Sequence, residues 1–374
     1  MILIAAGRVG VRATATAATA IAVITAYLAT AAVSRFLAAR TPNPEIAPGA
    51  GRPSGSLPAA AGRRTPPETM AEDSTATATY DLDGYELSVV TGAGPRLIGF
   101  RRSGGAQLFA SLGDLKLKHP GLPDYALLGG HRLWRAPEVP AVTYEPDDRP
   151  VSIELQTAED GASAEVTLVV EGAPESDGLV KRLTVSSHGG YIIVDHELRN
   201  DSWKPIEGAP WAITQMVSGG MAVLPQNDRL VDPEGVQPNR AVVLWPYTDP
   251  GAPEIAWDRE AILITGSSDP APLKVGQRND RGWLAYAAAG ELFVKWTRRH
   301  DSSRRYLDLD ATMQVYRNDR FVELETMGSP QVIAPGHAAK HRETWAIYQI
   351  GDVDAAALPA AIQSLDLPGT PAMA

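Results

Sequence analysis

Cysteine is absent from all 374 residues, which excludes disulfides, zinc–thiolate sites and cysteine nucleophiles and leaves the redox compartment open. Lysine is absent from the first 70 residues, which hold seven arginines against Glu45 and Glu68. That stretch is +5, so in a chain of net charge −10 the remainder carries −15. So acidic a body repels a phosphate backbone, which excludes nucleic acid as a partner. The chain also lacks a Gly-x-Ser-x-Gly elbow and a Gly-x-x-x-x-Gly-Lys phosphate loop. His337 and His341 stand four apart, but Pro335-Gly336 precedes them and a strand pattern follows. The helical pairing of a zinc protease is therefore missing, and no metal or other cofactor is expected.

Long apolar runs are scarce too. The 22 residues from Ala13 to Ser34 are uncharged and span a bilayer in length. Arg8 and Arg12 before them, and Ala29-Thr30-Ala31 near their end, fit a secretory signal equally well. Residues 1–40 are read as a weak membrane span or signal-like segment, which implies export or membrane attachment through residues 13–34. The competing reading starts translation at Met70 and leaves a cytoplasmic protein. Residues 41–70 contain seven prolines with Gly, Ser and Arg, a composition for an extended linker rather than a core.

What is present in quantity is Gly and Pro, 34 and 30 residues, and a period of two. Ala164, Val166, Leu168 and Val170 alternate with Glu165 and Thr167, and Ile192, Val194 and Leu198 repeat the pattern. Similar runs recur from Tyr85 to Ile350, separated by Gly-Gly, Asn-Asp and Pro-Gly turns. Many strands without intervening amphipathic helices predict an all-β antiparallel sandwich over residues 71–352. The tail 353–374 is expected to hold a short helix.

The most unusual segment is Gly129-Gly130-His131-Arg132-Leu133-Trp134-Arg135-Ala136-Pro137-Glu138. Read as a loop, its glycines let backbone approach a ligand, and its side chains offer a proton-transfer group, a fork donor, an apolar platform and a carboxylate. In Phe321-Val322-Glu323-Leu324-Glu325, a strand points both acids to one face; they are solvated, bind a cation or hydroxyls, or have one pKa raised for acid–base work. Trp211, Ile213 and Gln215 share a face of another strand. Most of the eight tryptophans are expected in the core, with some free to stack on a sugar. The basic turn Arg298–Arg305 is read as a solvated hairpin or an anion holder.

With these segments the chain resembles the galactose mutarotase-like superfamily. The landmarks are Gly94-Pro95-Arg96, the block 129–138, Trp211 to Met216, Leu292 to Lys295, Tyr306-Leu307-Asp308, Glu323-Leu324-Glu325 and Glu343-Thr344-Trp345. The resemblance implies a β-supersandwich with a groove open to carbohydrate, and an aldose 1-epimerase-like reaction in which a His protonates the ring oxygen while a Glu takes the anomeric proton. Carried over, Glu325 is the base. The mid-chain strand Ala209–Ile213 lacks the family's histidine, so His131 is assigned the acid. Arg132, Trp134, Glu138, Trp211, Gln215, Lys295, Asp308 and Glu323 then bind substrate. Two further classes stay open: a non-catalytic carbohydrate-binding module, and a lyase or hydrolase in which Arg132 and Lys295 clamp a uronate carboxylate beside Tyr316.

Overall fold

The structure, a computed structural model, describes residues 76–159, 164–298, 303–365 and 367. The expectations for residues 1–40 and 41–70, and for Arg299 to Ser302 of the basic turn, lie outside the described residues. Among those described, no helix is long and apolar enough to cross a membrane.

Two antiparallel sheets, of eleven and ten strands, form the sandwich predicted from the period-two runs. The middle of the first sheet runs Arg96–Arg102, Tyr125–Ala136, Ile206–Val217, Phe321–Met327, Met313–Arg317 and Leu273–Gln277. The middle of the second runs Trp283–Ala288, Glu291–Thr297, Ala338–Gln349, Tyr191–Asn200 and Leu179–His188.

Alternation decides which side chains enter the space between them. Along Tyr191–Asn200, every second residue from Ile192 through Val194, His196 and Leu198 to Asn200 is buried. Leu183, Val185, Leu168 and Val170 join them from neighbouring strands, and Leu87, Leu97, Val322 and Leu324 meet them from the first sheet. Three of the five phenylalanines, Phe100, Phe109 and Phe293, cluster here around Trp345, with ring centroids 5.4 to 6.0 Å apart. Edge-to-face packing of this kind adds about 0.5–1.5 kcal/mol per pair beyond area burial.

The helix expected near the C-terminus spans Leu358–Ser364. Leu358 and Ile362, one turn apart, lie on the outer face of the second sheet against Val294, Trp296 and Ala346. The outer face of the first sheet carries its own aromatic cluster, which includes Tyr125, Trp134, Tyr144, Trp211 and Phe321.

Candidate functional site

The block read as a loop is mostly strand: Tyr125–Ala136 runs through it without a break. Its glycines serve strand packing and not ligand approach. Gly129 and Gly130 both have positive φ, and a Cβ on them would sit 1.9 Å from the Ala110 carbonyl oxygen and 2.2 Å from that of Leu97. Only glycine permits such contact between neighbouring backbones.

Because this segment is a strand, its residues divide between two faces. The register pairs Trp134 with Trp211, Arg132 with Ile213 and His131 with Thr214. The next ladder pairs Ile213 with Glu325 and Gln215 with Glu323, and the one after pairs Glu323 with Tyr316. Cross-strand partners share a face. Arg132, Trp134, Trp211, Gln215, Glu323 and Glu325 therefore converge on the outer face of the first sheet, while His131 turns inward. The expected acid–base pair of His131 and Glu325 is thereby corrected: a sheet separates them, and His131 is sealed at 0 % exposure.

On the outer face lies a cavity of about 350 Å³ lined by Trp134, Glu138, Trp211, Tyr247, Lys274, Tyr316 and Glu323, among others. Beneath it, one Glu325 oxygen accepts bonds from Trp211 Nε1 and Lys274 Nζ, both at 2.8 Å. The Lys274 ammonium also sits 4.9 Å and 4.6 Å from the ring centroids of Trp211 and Trp245. Glu323 accepts from Gln215 Nε2 at 2.8 Å and stands 3.7 Å from the Arg132 guanidinium. That guanidinium is 4.7 Å from the Trp134 ring centroid, 1 % exposed, and none of its nitrogens has a hydrogen-bond partner. The second oxygen of Glu325 and the Gln215 carbonyl oxygen are also unpartnered. Buried polar groups left unpaired cost roughly 1–3 kcal/mol each, so this concentration marks a surface arranged for something other than stability.

The carboxyls feel one another. Burial, and then the charge of Glu325, pushes Glu323 up to about 7. Burial raises Glu325 as well, against the pull of Lys274. Two carboxyls in one apolar site resist ionising together.

The remaining expected residues fall in different places. Glu138 lines the cavity and accepts a hydrogen bond from the Tyr144 hydroxyl. Asp308 sits on the turn Leu307–Asp310 and accepts from Gln314 Nε2 at 2.9 Å, and Gln314 pairs with Glu325 across the ladder. Lys295 is misplaced by the sequence reading: it lies between the sheets, 2.7 Å from Glu343. Arg132 on the outer face of the first sheet and Lys295, between the two sheets on a strand of the second, cannot clamp one uronate carboxylate, which removes the geometry proposed for a lyase.

Lys295 belongs to a sealed polar cluster with His131, His196 and Glu343, all at 1 % exposure or less, and His341 at its edge. The facing Nε2 atoms of His131 and His196 are 2.7 Å apart, and His131 Nδ1 meets the Thr214 hydroxyl at 2.9 Å. Thr326 bonds His341 Nε2 at 2.7 Å and donates to Glu343 at 2.5 Å, and Trp345 Nε1 donates to the other Glu343 oxygen at 2.8 Å. Ligating atoms of His131, His196 and Glu343 lie within 4.8 Å of one another, a grouping that sequence spacing did not reveal. The Lys295 ammonium on Glu343 gives the cluster its own cation, and the two imidazoles already bond each other. Burial would raise Glu343, yet Lys295 and the imidazoles hold it well below the usual carboxylate range. Burial also lowers Lys295, against Glu343, but the 2.7 Å contact with an ionised carboxylate favours the ammonium.

Burial lowers His131 and His196, and takes His341 down to about 3. In the unfolded chain histidine titrates near 6.5. As pH falls below that value the unfolded state takes up protons that the folded state refuses, so stability falls by about 1.4 kcal/mol per pH unit for each such histidine. For His341 the loss continues down to pH about 3. Glu323 acts in the opposite sense, because its raised pKa contributes stability below the ordinary glutamate range that is lost as pH rises through about 7. Three histidines outweigh it. Urea unfolding is expected to show stability falling by about 2 kcal/mol or more between pH 6.5 and pH 5; a flat profile would contradict the neutral, sealed cluster.

Sequence reasoning missed Lys274, Tyr247, His196 and Glu343 as members of these sites. A lone lysine in the otherwise uncharged Leu273–Gln277 strand was a readable signal for Lys274. His196 sits at an inward position of a strictly alternating strand, a signal for burial though not for its partners.

No family model matches this chain, and no curated protein does. Solved structures do. A TPR-domain containing protein from Parabacteroides distasonis is 11 % identical with a TM-score of 0.50, covering 78 % of this chain and 49 % of its own. A galactose mutarotase-like protein from Lactobacillus casei is 11 % identical with a TM-score of 0.42, covering 73 % and 100 %. A galactose mutarotase related enzyme from Lactobacillus acidophilus is 10 % identical with a TM-score of 0.40, covering 74 % and 99 %. At such identities the likeness is one of fold alone, and the described residues form an all-β antiparallel sandwich.

Proposed function

We propose that this chain, built on the galactose mutarotase-like fold, binds carbohydrate in the cavity on the outer face of its first sheet. The observation that carries the reading is the Glu323 carboxyl at the wall of a cavity enclosed by Trp134, Trp211, Tyr247 and Tyr316, with the unpartnered Arg132 guanidinium buried behind it. Sugars present what such a site lacks. Their hydroxyls donate to a carboxylate such as Glu323 and accept from an ammonium such as Lys274, both in the cavity wall, and their C–H faces cover indole and phenol rings. A volume of about 350 Å³ takes one or two sugar rings.

Titration of residues 71–374 with a panel of mono- and oligosaccharides, followed by calorimetry and tryptophan fluorescence, tests this. A saturating ligand is expected, and Trp134→Ala is expected to weaken it by about 2 kcal/mol, roughly thirtyfold, as for a buried aromatic anchor. A panel without a single binder would remove the proposal.

A second reading is favoured by Glu323, poised near 7 at the cavity wall. General acid–base groups work best with a pKa near ambient pH. Glu323 and Glu138 are the carboxyls that line this cavity, while Glu325, sealed beneath them at 0 % exposure, raises Glu323 by its charge. One carboxyl protonates the ring oxygen while the other takes the anomeric proton, so that the ring opens and recloses from its other face. This assigns aldose 1-epimerase-like chemistry to a carboxyl pair, with no role for His131.

A further inference from the structure

We infer that the sugar taken by the cavity on the outer face of the first sheet is a cationic one: an amino sugar, held by its ammonium between the aromatic wall and the carboxyls of Glu138 and Glu323. This rests on the binding reading above and narrows its ligand class.

The charges at the wall set the sign. Three carboxyls, Glu138, Glu323 and Glu325, gather at this site with two cations, Arg132 and Lys274. Lys274 is taken up by Glu325 at 2.8 Å, and Arg132 stands 3.7 Å from Glu323. Beside the cavity-lining Phe321, Arg320 is neutralised by Asp114 at 2.9 Å. Glu138 has no such counterpart. Among the described residues it accepts only from the neutral Tyr144 hydroxyl, and it is exposed where it lines the cavity. One negative charge is therefore left over when all these groups are ionised, and a concave apolar wall concentrates its field on a small ligand.

Both lining acids act on the same space. Burial first, and then negative charge from Glu325, Tyr316, Glu138 and Glu323, pushes the Tyr247 hydroxyl up. Burial and Glu138, followed by Glu323, do the same to Tyr144.

The rings complete the enclosure. Tyr247 and Tyr316 meet at 83° with centroids 6.4 Å apart, and Trp134 and Tyr144 at 90° and 5.3 Å. Rings at right angles close a corner around a compact group, and their electron-rich faces attract an ammonium. The chain already uses this attraction here, with Lys274 4.9 Å from the Trp211 centroid and Arg132 4.7 Å from that of Trp134. An ammonium on the ligand brings N–H donors to Glu138 and Glu323, which only accept when ionised. A ligand carboxylate in the same place meets like charge instead.

The test is calorimetry on the full chain with glucosamine, glucose, N-acetylglucosamine and glucuronate, and with galactosamine and galactose for the other hydroxyl configuration. In at least one configuration the amino sugar is expected to bind about tenfold tighter than its neutral parent, with the N-acetyl form close to the parent, glucuronate weakest, and the preference shrinking as salt is raised. Glu138→Gln, at an exposed position, is expected to erase most of that preference. Glu154→Gln, the same charge change on the exposed edge strand Ser152–Glu159 of the second sheet, is expected to retain it. Neutral sugars binding as tightly as their amino counterparts would overturn this inference and leave the binding reading in place; no sugar binding in any form would remove both. Glu154→Gln acting as strongly as Glu138→Gln would trace the preference to net charge, and choline binding as tightly as glucosamine would show a cation site indifferent to sugar; either result refutes the assignment.

Discussion

Glu323→Gln is expected to slow anomer exchange by roughly 10²–10⁴-fold, the range for removal of a positioned acid or base, while sugar binding changes far less. The amide preserves the shape and the hydrogen bond from Gln215, now 2.8 Å long, but cannot carry a proton. Its pH profile should also lose the limb near 7 that belongs to this carboxyl. Glu325→Gln is expected to bring a smaller loss, by removing the charge that raises Glu323, with an added structural cost, because Lys274 at 2.8 Å would lose its counter-charge. Exchange NMR on whichever sugar binds measures both effects. A parent protein that binds sugar without accelerating exchange would leave the binding reading standing and end the catalytic one.

Lys295→Met should cost about 3–5 kcal/mol of folding stability, the penalty for leaving a buried charge without its partner. Lys295 and Glu343 both have fully buried side chains, and the lysine also bonds Thr214 at 3.2 Å and the Leu324 carbonyl oxygen at 2.9 Å. One substitution therefore unpairs groups from both sheets. Against a typical total of about 5–15 kcal/mol, such a loss brings the sandwich near the limit of stability. The double variant Lys295→Met/Glu343→Gln is expected to recover much of it, because no ion is then stranded. Urea unfolding of the three proteins decides the matter, and a loss below about 1 kcal/mol in the single variant would show that Glu343 is not held as an ion.

These two expectations concern the outer face of the first sheet and the interior between the sheets, and the division between them was partly readable. The carboxylates at 323 and 325 are two apart, as are Trp211, Ile213 and Gln215, and period-two geometry places each set together wherever the strand lies. Within Gly129–Glu138 the same rule separates His131 from Arg132, once the segment is known to be strand. Reading it as a loop hid that separation, since two glycines and a dense run of polar residues are also the marks of a turn. The glycines are explained by the carbonyls of Ala110 and Leu97 pressing against them, partners distant enough in sequence to leave no local trace.

Local order along the chain determined the all-β class and the pairs of residues that share a strand face, because strand alternation and turn chemistry act over two to four residues. Tertiary structure alone decided which face meets the other sheet and which meets solvent. It set His131 against His196 and Lys295 against Glu343, and brought Lys274 to Glu325. Those contacts join residues 48 to 65 positions apart by number, through ladders and sheet stacking. The physical reason is that burial and charge pairing are properties of a position in space, and a sequence period is the same for a face turned inward as for one turned out.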